Sequence, residues 1–136
     1  MLLQPIKIDA GIEKSAVEAI ASQRRLRDAL PTVRETLPVS LRLAVEKISE
    51  TPLEDIFQTQ KLDDGQEVLR HLRALLNELG GAPTLHHTEE GEPYWVGGSE
   101  NGRKVEILIE CLDGMLRHAR KTSDWISARS VLTSKI

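Results

Sequence analysis

A leucine-rich segment, residues 63–81, constrains the fold of this chain more than any other part of its sequence. Its apolar residues recur at the three- and four-residue spacing of one helix face, and polar residues occupy the other face. Asp63 or Asp64 can cap its start, and Gly80 and Gly81 can end it, because glycine adopts the left-handed conformation that closes a helix. The other segments must cover this leucine stripe, which consists of Val68, Leu69, Leu72, Leu75, Leu76 and Leu79.

Composition indicates a chain that can bury a sizeable core. Its 136 residues predict a single domain over 1–136, and with only 3% aromatic residues the core must be mostly aliphatic. The net charge of −3 indicates no general affinity for polyanions. Cys111 has no second cysteine to pair with, which is typical of a cytoplasmic protein. We expect a cytoplasmic location without membrane association.

Other helices are predicted on both sides of the leucine-rich segment. The first is ended by Pro31, since proline cannot continue a helix. Thr51 to Glu54 matches a capping box with proline at the first helical position. The predicted elements are an extended lead-in (1–10), a helix (11–30), a second helix (38–50), a short helix fading near Lys61, and a last helix capped by Thr122–Ser123 with Trp125, Ala128 and Leu132 on one face.

Prolines and glycines interrupt any helical pattern between residues 82 and 102. Residues 84–88 and 93–96 are typical of short strands, and residues 89–92 contain the polar and glycine residues of a turn. The sequence therefore predicts a β-hairpin within residues 84–98.

Two structures fit the segment that follows the hairpin. Apolar residues from Val105 to Ala119 match one helical face, which favours a long helix over 103–121. Residues 104–110 also match a strand, with Asn101–Gly102 as a hairpin turn before it. We predict a mainly α domain with a small β-hairpin inserted before the C-terminal helices; the alternative is an α+β fold with a three-stranded antiparallel meander.

Catalytic and metal-binding signatures are not evident in the sequence. His86 and His87 lie near Glu89 and Glu90, but neighbouring side chains of a strand point to opposite faces. No zinc-binding or nucleotide-binding motif is present at the required spacing. We expect no catalytic residue, no metal and no cofactor, and we favour a protein that is not an enzyme.

Two sets of residues are candidates for binding a protein partner. Tyr94 and Trp95 concentrate aromatic side chains in a predicted strand, where one would anchor the hairpin on the helices and the other would be exposed; the alternative is that both serve packing alone. Ile107, Cys111, Gly114 and His118 form a second line on the helix 103–121, with Gly114 allowing a neighbouring helix to approach closely. That neighbour is either a second copy, giving a homodimer, or another helix of the same chain.

Basic residues support an alternative function, which is association with DNA. They form two clusters, which can contact phosphates but contain no interleaved aromatic residues. We therefore predict a non-enzymatic protein-interaction module (an adaptor, inhibitor or assembly factor) that self-associates; the alternative is a DNA-associated regulator. The nucleic-acid candidates are Arg24, Arg25, Arg27, Arg117, Arg120 and Lys121.

Overall fold

The computed structural model describes the backbone of residues 5–134 and the side chains of residues 13–124 and 126. Within these residues the chain is mainly α, with one two-stranded antiparallel sheet before the last helix, as predicted. No helix in residues 5–134 is both long and apolar enough to cross a membrane. The elements are α1 (Pro5–Val33), α2 (Val39–Glu50), α3 (Leu53–Ile56), α4 (Thr59–Glu78), β1 (Thr84–His87), β2 (Pro93–Val96) and α5 (Glu100–Ser134).

The core lies between α1, α4 and α5, and α2 and α3 cover one side of it. The leucine stripe is confirmed as core: Leu69 and Leu72 are fully buried, while its C-terminal leucines are partly buried. Leu112 and Met115 of α5 are also fully buried. Residues 104–110 are helical, so the three-stranded meander is wrong and the long helix is correct.

Helix α1 is longer than predicted at both ends. Its first described residue is Pro5, so the extended lead-in is wrong for residues 5–10, while residues 1–4 lie outside the described part. It also continues through Pro31 to Val33. A proline in the last turn removes only one backbone N–H, and α1 ends two residues later, so this loss is tolerated.

Helix α4 begins at Thr59, four residues before the predicted cap. Gln58 is the N-cap and makes no side-chain capping hydrogen bond, while Asp63 and Asp64 are exposed within the helix. Gly65 is buried in α4, and a Cβ there would lie 2.5 Å from Leu116 Cδ2. Gly65 therefore lets α5 pack closely on α4.

Helix α5 continues through the position where a new helix was predicted. The Thr122 hydroxyl donates to the His118 carbonyl at 2.9 Å, and the Ser123 hydroxyl donates to the Phe57 carbonyl at 3.0 Å. Both hydroxyls are thus satisfied without interrupting the helix, so the Thr122–Ser123 cap is wrong. The side chains of Trp125, Ala128 and Leu132 lie outside the described residues.

Candidate functional site

The hairpin between α4 and α5 has a three-residue loop at its tip. The Thr88 N–H donates to the Glu92 carbonyl and the Gly91 N–H to the Thr88 carbonyl, both at 2.9 Å. Gly91 has a φ of 87°. A three-residue hairpin loop commonly ends in a residue with this left-handed conformation, which forms a β-bulge beside the turn. The loop pairs Leu85 with Trp95, which confirms the predicted strands and their connection.

The hairpin is held at its base by close backbone contacts, which we call the hairpin root (residues 79–83 and 98–103). A Cβ at Gly98 would overlap the Ala82–Pro83 backbone, and one at Gly102 would overlap the Gly81 carbonyl oxygen. Two glycines therefore allow the two chain segments to lie against each other.

Ser99 links both segments of the hairpin root and caps α5. Its hydroxyl donates to the Leu79 carbonyl at 3.1 Å and accepts from the Gly102 N–H at 2.9 Å. Its own N–H donates to the Gly81 carbonyl at 3.3 Å. Asn101–Gly102 therefore lies in the first turn of α5, and its prediction as a hairpin turn is wrong. Serine is a preferred N-cap residue, so Ser99, directly before the first residue of α5, was the sequence signal for this cap.

Both faces of the hairpin are exposed. Leu85 and Trp95 share one face, and Tyr94 and Val96 share the other. Trp95 keeps 52% of its surface exposed and each of the other three keeps 45%. Antiparallel sheets commonly pack one face on the core, so exposed apolar groups on both faces are unusual for a surface hairpin.

Neither aromatic side chain is buried among the helices, and of the two only Trp95 contacts a helix in the described residues, through Arg103 of α5. The Arg103 guanidinium lies 4.1 Å from the centre of the Trp95 ring, which orients the ring at the surface. The Tyr94 ring lies 5.7 Å from the His86 ring of the opposite strand. The hairpin root supplies the anchoring, and the aromatic rings remain accessible.

The tip of the hairpin is acidic. Glu89, Glu90 and Glu92 are exposed, and none of them forms an ion pair within the described residues. The hairpin thus presents exposed apolar faces next to an end that carries three carboxylates.

The second predicted line of partner residues faces another helix of the same chain. A Cβ at Gly114 would lie 3.3 Å from Ser22 Oγ of α1, and His118 Nε2 lies 3.1 Å from a Glu18 carboxylate oxygen. Ile107, at the other end of the line, is exposed. Gly114 and His118 therefore serve the packing of α1 on α5.

A shallow cavity lies beside Cys111 between α1 and α5. Its lining includes Arg25, Cys111 and Arg117. Burial raises the pKa of the Cys111 thiol, and the positive charge of Arg25 opposes this shift only in part. A raised pKa leaves less of the thiol in the nucleophilic thiolate form at neutral pH.

Substituting Gly114 with leucine should destabilise the monomer. A Cβ there would lie 3.3 Å from Ser22 Oγ, closer than an ordinary van der Waals contact, and overpacking by the longer leucine side chain costs about 1–3 kcal/mol. We expect a lower midpoint in thermal unfolding followed by circular dichroism. Ile107→Arg is the matched control and should leave the midpoint unchanged. If Gly114→Leu and Ile107→Arg both stayed folded but had half the wild-type mass in light scattering, the line from Ile107 to His118 would instead be the contact between two copies of the chain.

The basic candidates do not form one surface on α1. Arg25 and Arg27 start from nearly opposite sides of the helix, because two residues turn it by about 200°. Arg27 donates to the Ser49 carbonyl of α2, with its nearer nitrogen at 2.7 Å. Arg24, Arg117, Arg120 and Lys121 are exposed. DNA association stays a prediction that this geometry does not strengthen, and salt-dependent retention on DNA would test it.

A metal site is the remaining kind of candidate. In the part of the chain that the structure describes, no group of three or more histidine, cysteine, aspartate and glutamate side chains is placed to hold a metal ion. His86 and His87 lie on opposite faces of β1, as the strand alternation predicted.

Comparisons with known proteins identify no relative of this chain. No protein-family model matches the sequence. Searches of curated proteins and of solved structures also find no match.

Proposed function

We propose that this chain is a non-enzymatic protein-interaction module whose binding element is the hairpin. The observation that carries the proposal is the exposure of apolar side chains on both faces of a hairpin that is fixed at its root. Clustered exposed apolar groups mark interaction surfaces, and tryptophan and tyrosine contribute most to binding in such surfaces.

The distribution of aromatic residues supports this proposal. The chain has only four tryptophan, tyrosine and phenylalanine residues, and two of them, Tyr94 and Trp95, are about half exposed on the hairpin. Four of the ten large hydrophobic residues exposed among the described side chains lie between residues 85 and 96. Among the described side chains, the buried hydrophobic residues are aliphatic or methionine, and Phe57 is the aromatic residue that packs against them, so Tyr94 and Trp95 are not needed to fill the core.

Self-association along the line from Ile107 to His118 is not part of the proposal. Helix α1 of the same chain already covers that line at Gly114 and His118. The hairpin therefore carries the proposed binding surface by itself.

Replacing both hairpin aromatics with serine should abolish partner capture without unfolding the protein. Truncating one tryptophan or tyrosine anchor commonly costs about 2 kcal/mol or more, so Tyr94→Ser with Trp95→Ser should weaken binding more than about a hundredfold. Both side chains are half exposed, so we expect the unfolding midpoint to change little. The measurement is quantitative mass spectrometry of proteins retained from native lysate by the full chain and by the variant.

A matched control removes exposed apolar groups elsewhere. Val39 and Leu43 lie on α2 and are both more than half exposed. Val39→Ser with Leu43→Ser should retain the partner at the wild-type level. Equal capture by the hairpin variant and the wild type would contradict the proposed role of the hairpin.

A further inference from the structure

We infer that the outer edge of β1 accepts an extended segment of a partner protein as an additional strand. The inference rests on the proposed function and names the kind of ligand that the hairpin binds. It follows from the direction of the backbone groups along the two strands.

The hydrogen bond from the Thr88 N–H to the Glu92 carbonyl establishes which residues pair inward. In an antiparallel ladder, hydrogen-bonded and non-hydrogen-bonded pairs alternate. Because the Thr88 N–H points inward to the Glu92 carbonyl, the pair of His86 and Tyr94, two residues further along, also bonds inward. The residues between these pairs therefore direct their N–H and C=O groups away from the partner strand.

The two outer edges of the hairpin differ in their donors. On β1, Leu85 and His87 direct both of their N–H groups outward. On β2, the corresponding residues are Trp95 and Pro93, and proline has no N–H. Proline at an outward position is a common way to prevent a strand from joining an edge. The β2 edge thus lacks one of its two outward N–H groups, whereas β1 keeps both of its outward N–H groups within Thr84–His87, after Pro83.

The surroundings of β1 specify the chemistry of the added strand. All four residues of β1 are exposed, so the edge is accessible. An added strand would place the side chains of one face beside Leu85, which favours apolar residues at alternate positions, and those of the other face beside Thr84 and His86. Its end near the tip would meet the carboxylates of Glu89 and Glu90, which favours lysine or arginine there. The expected ligand is an extended peptide with alternating apolar residues and a basic end.

The experiment selects ligands for the full chain from a phage-displayed library of random peptides. The enriched sequences are made as fluorescent peptides, and their affinity is measured by anisotropy. We expect alternating apolar peptides with a basic end. Their binding should slow hydrogen exchange at the Leu85 and His87 amides by about tenfold or more, because each amide gains a hydrogen-bond partner.

Two modifications test the backbone contacts directly. His87→Pro removes one outward donor and reproduces on β1 the feature that Pro93 gives to β2, so affinity should fall about tenfold. Methylating alternate backbone nitrogens of the peptide should weaken binding as strongly. The peptide modification leaves the protein unchanged, so it decides the question if the proline variant does not fold.

The remaining outcomes separate the inference from the proposed function. One outcome would overturn the edge inference. In it, Tyr94→Ser with Trp95→Ser abolishes peptide binding, but methylating the peptide has no effect and the Leu85 and His87 amides exchange at an unchanged rate. The hairpin would then bind through its faces and the proposed function would stand. The edge inference would also be overturned if the library yielded no enriched peptide. It would likewise be overturned if these two amides exchanged slowly without peptide because a dimer of the chain covers them. The lysate experiment tests the proposed function independently.

Discussion

Leu72→Asp is expected to unfold the protein. Leu72 is fully buried in α4, within the core that joins α4 to α1 and α5. A carboxylate there would have no positive partner, and we expect a loss of more than about 4 kcal/mol. Domains of ordinary stability have only about 5–15 kcal/mol in total. The expected result is a large loss of helical signal in far-ultraviolet circular dichroism at room temperature.

The same charge on the exposed face of α4 provides the control. Gln66→Asp should change the free energy of unfolding by less than about 0.5 kcal/mol, as is usual for exposed positions. Leu72→Ala gives a graded comparison, because the cavity alone should cost about 2–5 kcal/mol. An unchanged melting temperature for Leu72→Asp would show that the leucine stripe is not core.

Periodicity predicted the core because burial of an apolar face depends on local spacing. The leucine stripe and the apolar residues from Val105 to Ala119 were identified in this way, and the structure buries both. The ends of the helices were less predictable, since they depend on tertiary contacts. Thr122 and Ser123 are typical helix-capping residues, but their hydroxyls donate to the backbone carbonyls of His118 and Phe57. Helix α5 therefore continues through them.

The candidate site could be predicted only in part for the same reason. The strands and the position of Tyr94 and Trp95 followed from local sequence, and their alternation to opposite faces is confirmed. The hairpin root depends on Gly81 and Gly102 lying against each other, a contact between residues about twenty positions apart that no periodic pattern encodes. Sequence alone therefore located the hairpin but not its anchoring.

Gly102→Ala is expected to release the hairpin while the helical core stays folded. The added Cβ would overlap the Gly81 carbonyl oxygen, so the two segments of the hairpin root must separate. Separation would weaken the hydrogen bonds from Ser99 to Leu79 and Gly81. An overlap of this kind costs about 1–3 kcal/mol, which corresponds to a shift toward the open form of roughly fivefold to somewhat more than a hundredfold.

The effect should appear as a local change, because a two-stranded hairpin without its anchoring is marginally stable in water. Hydrogen exchange measured by nuclear magnetic resonance should accelerate at the inward amides of His86 and Tyr94, while amides around Leu112 keep their protection. Asn101→Ala alters the exposed neighbour of Gly102 in the same turn and should leave hairpin exchange unchanged. Partner capture should fall with Gly102→Ala although every hairpin side chain is present, because the binding surface must then be ordered at the moment of binding. Undiminished capture with accelerated exchange would mean that the partner itself orders the hairpin, and that the root contributes to stability alone.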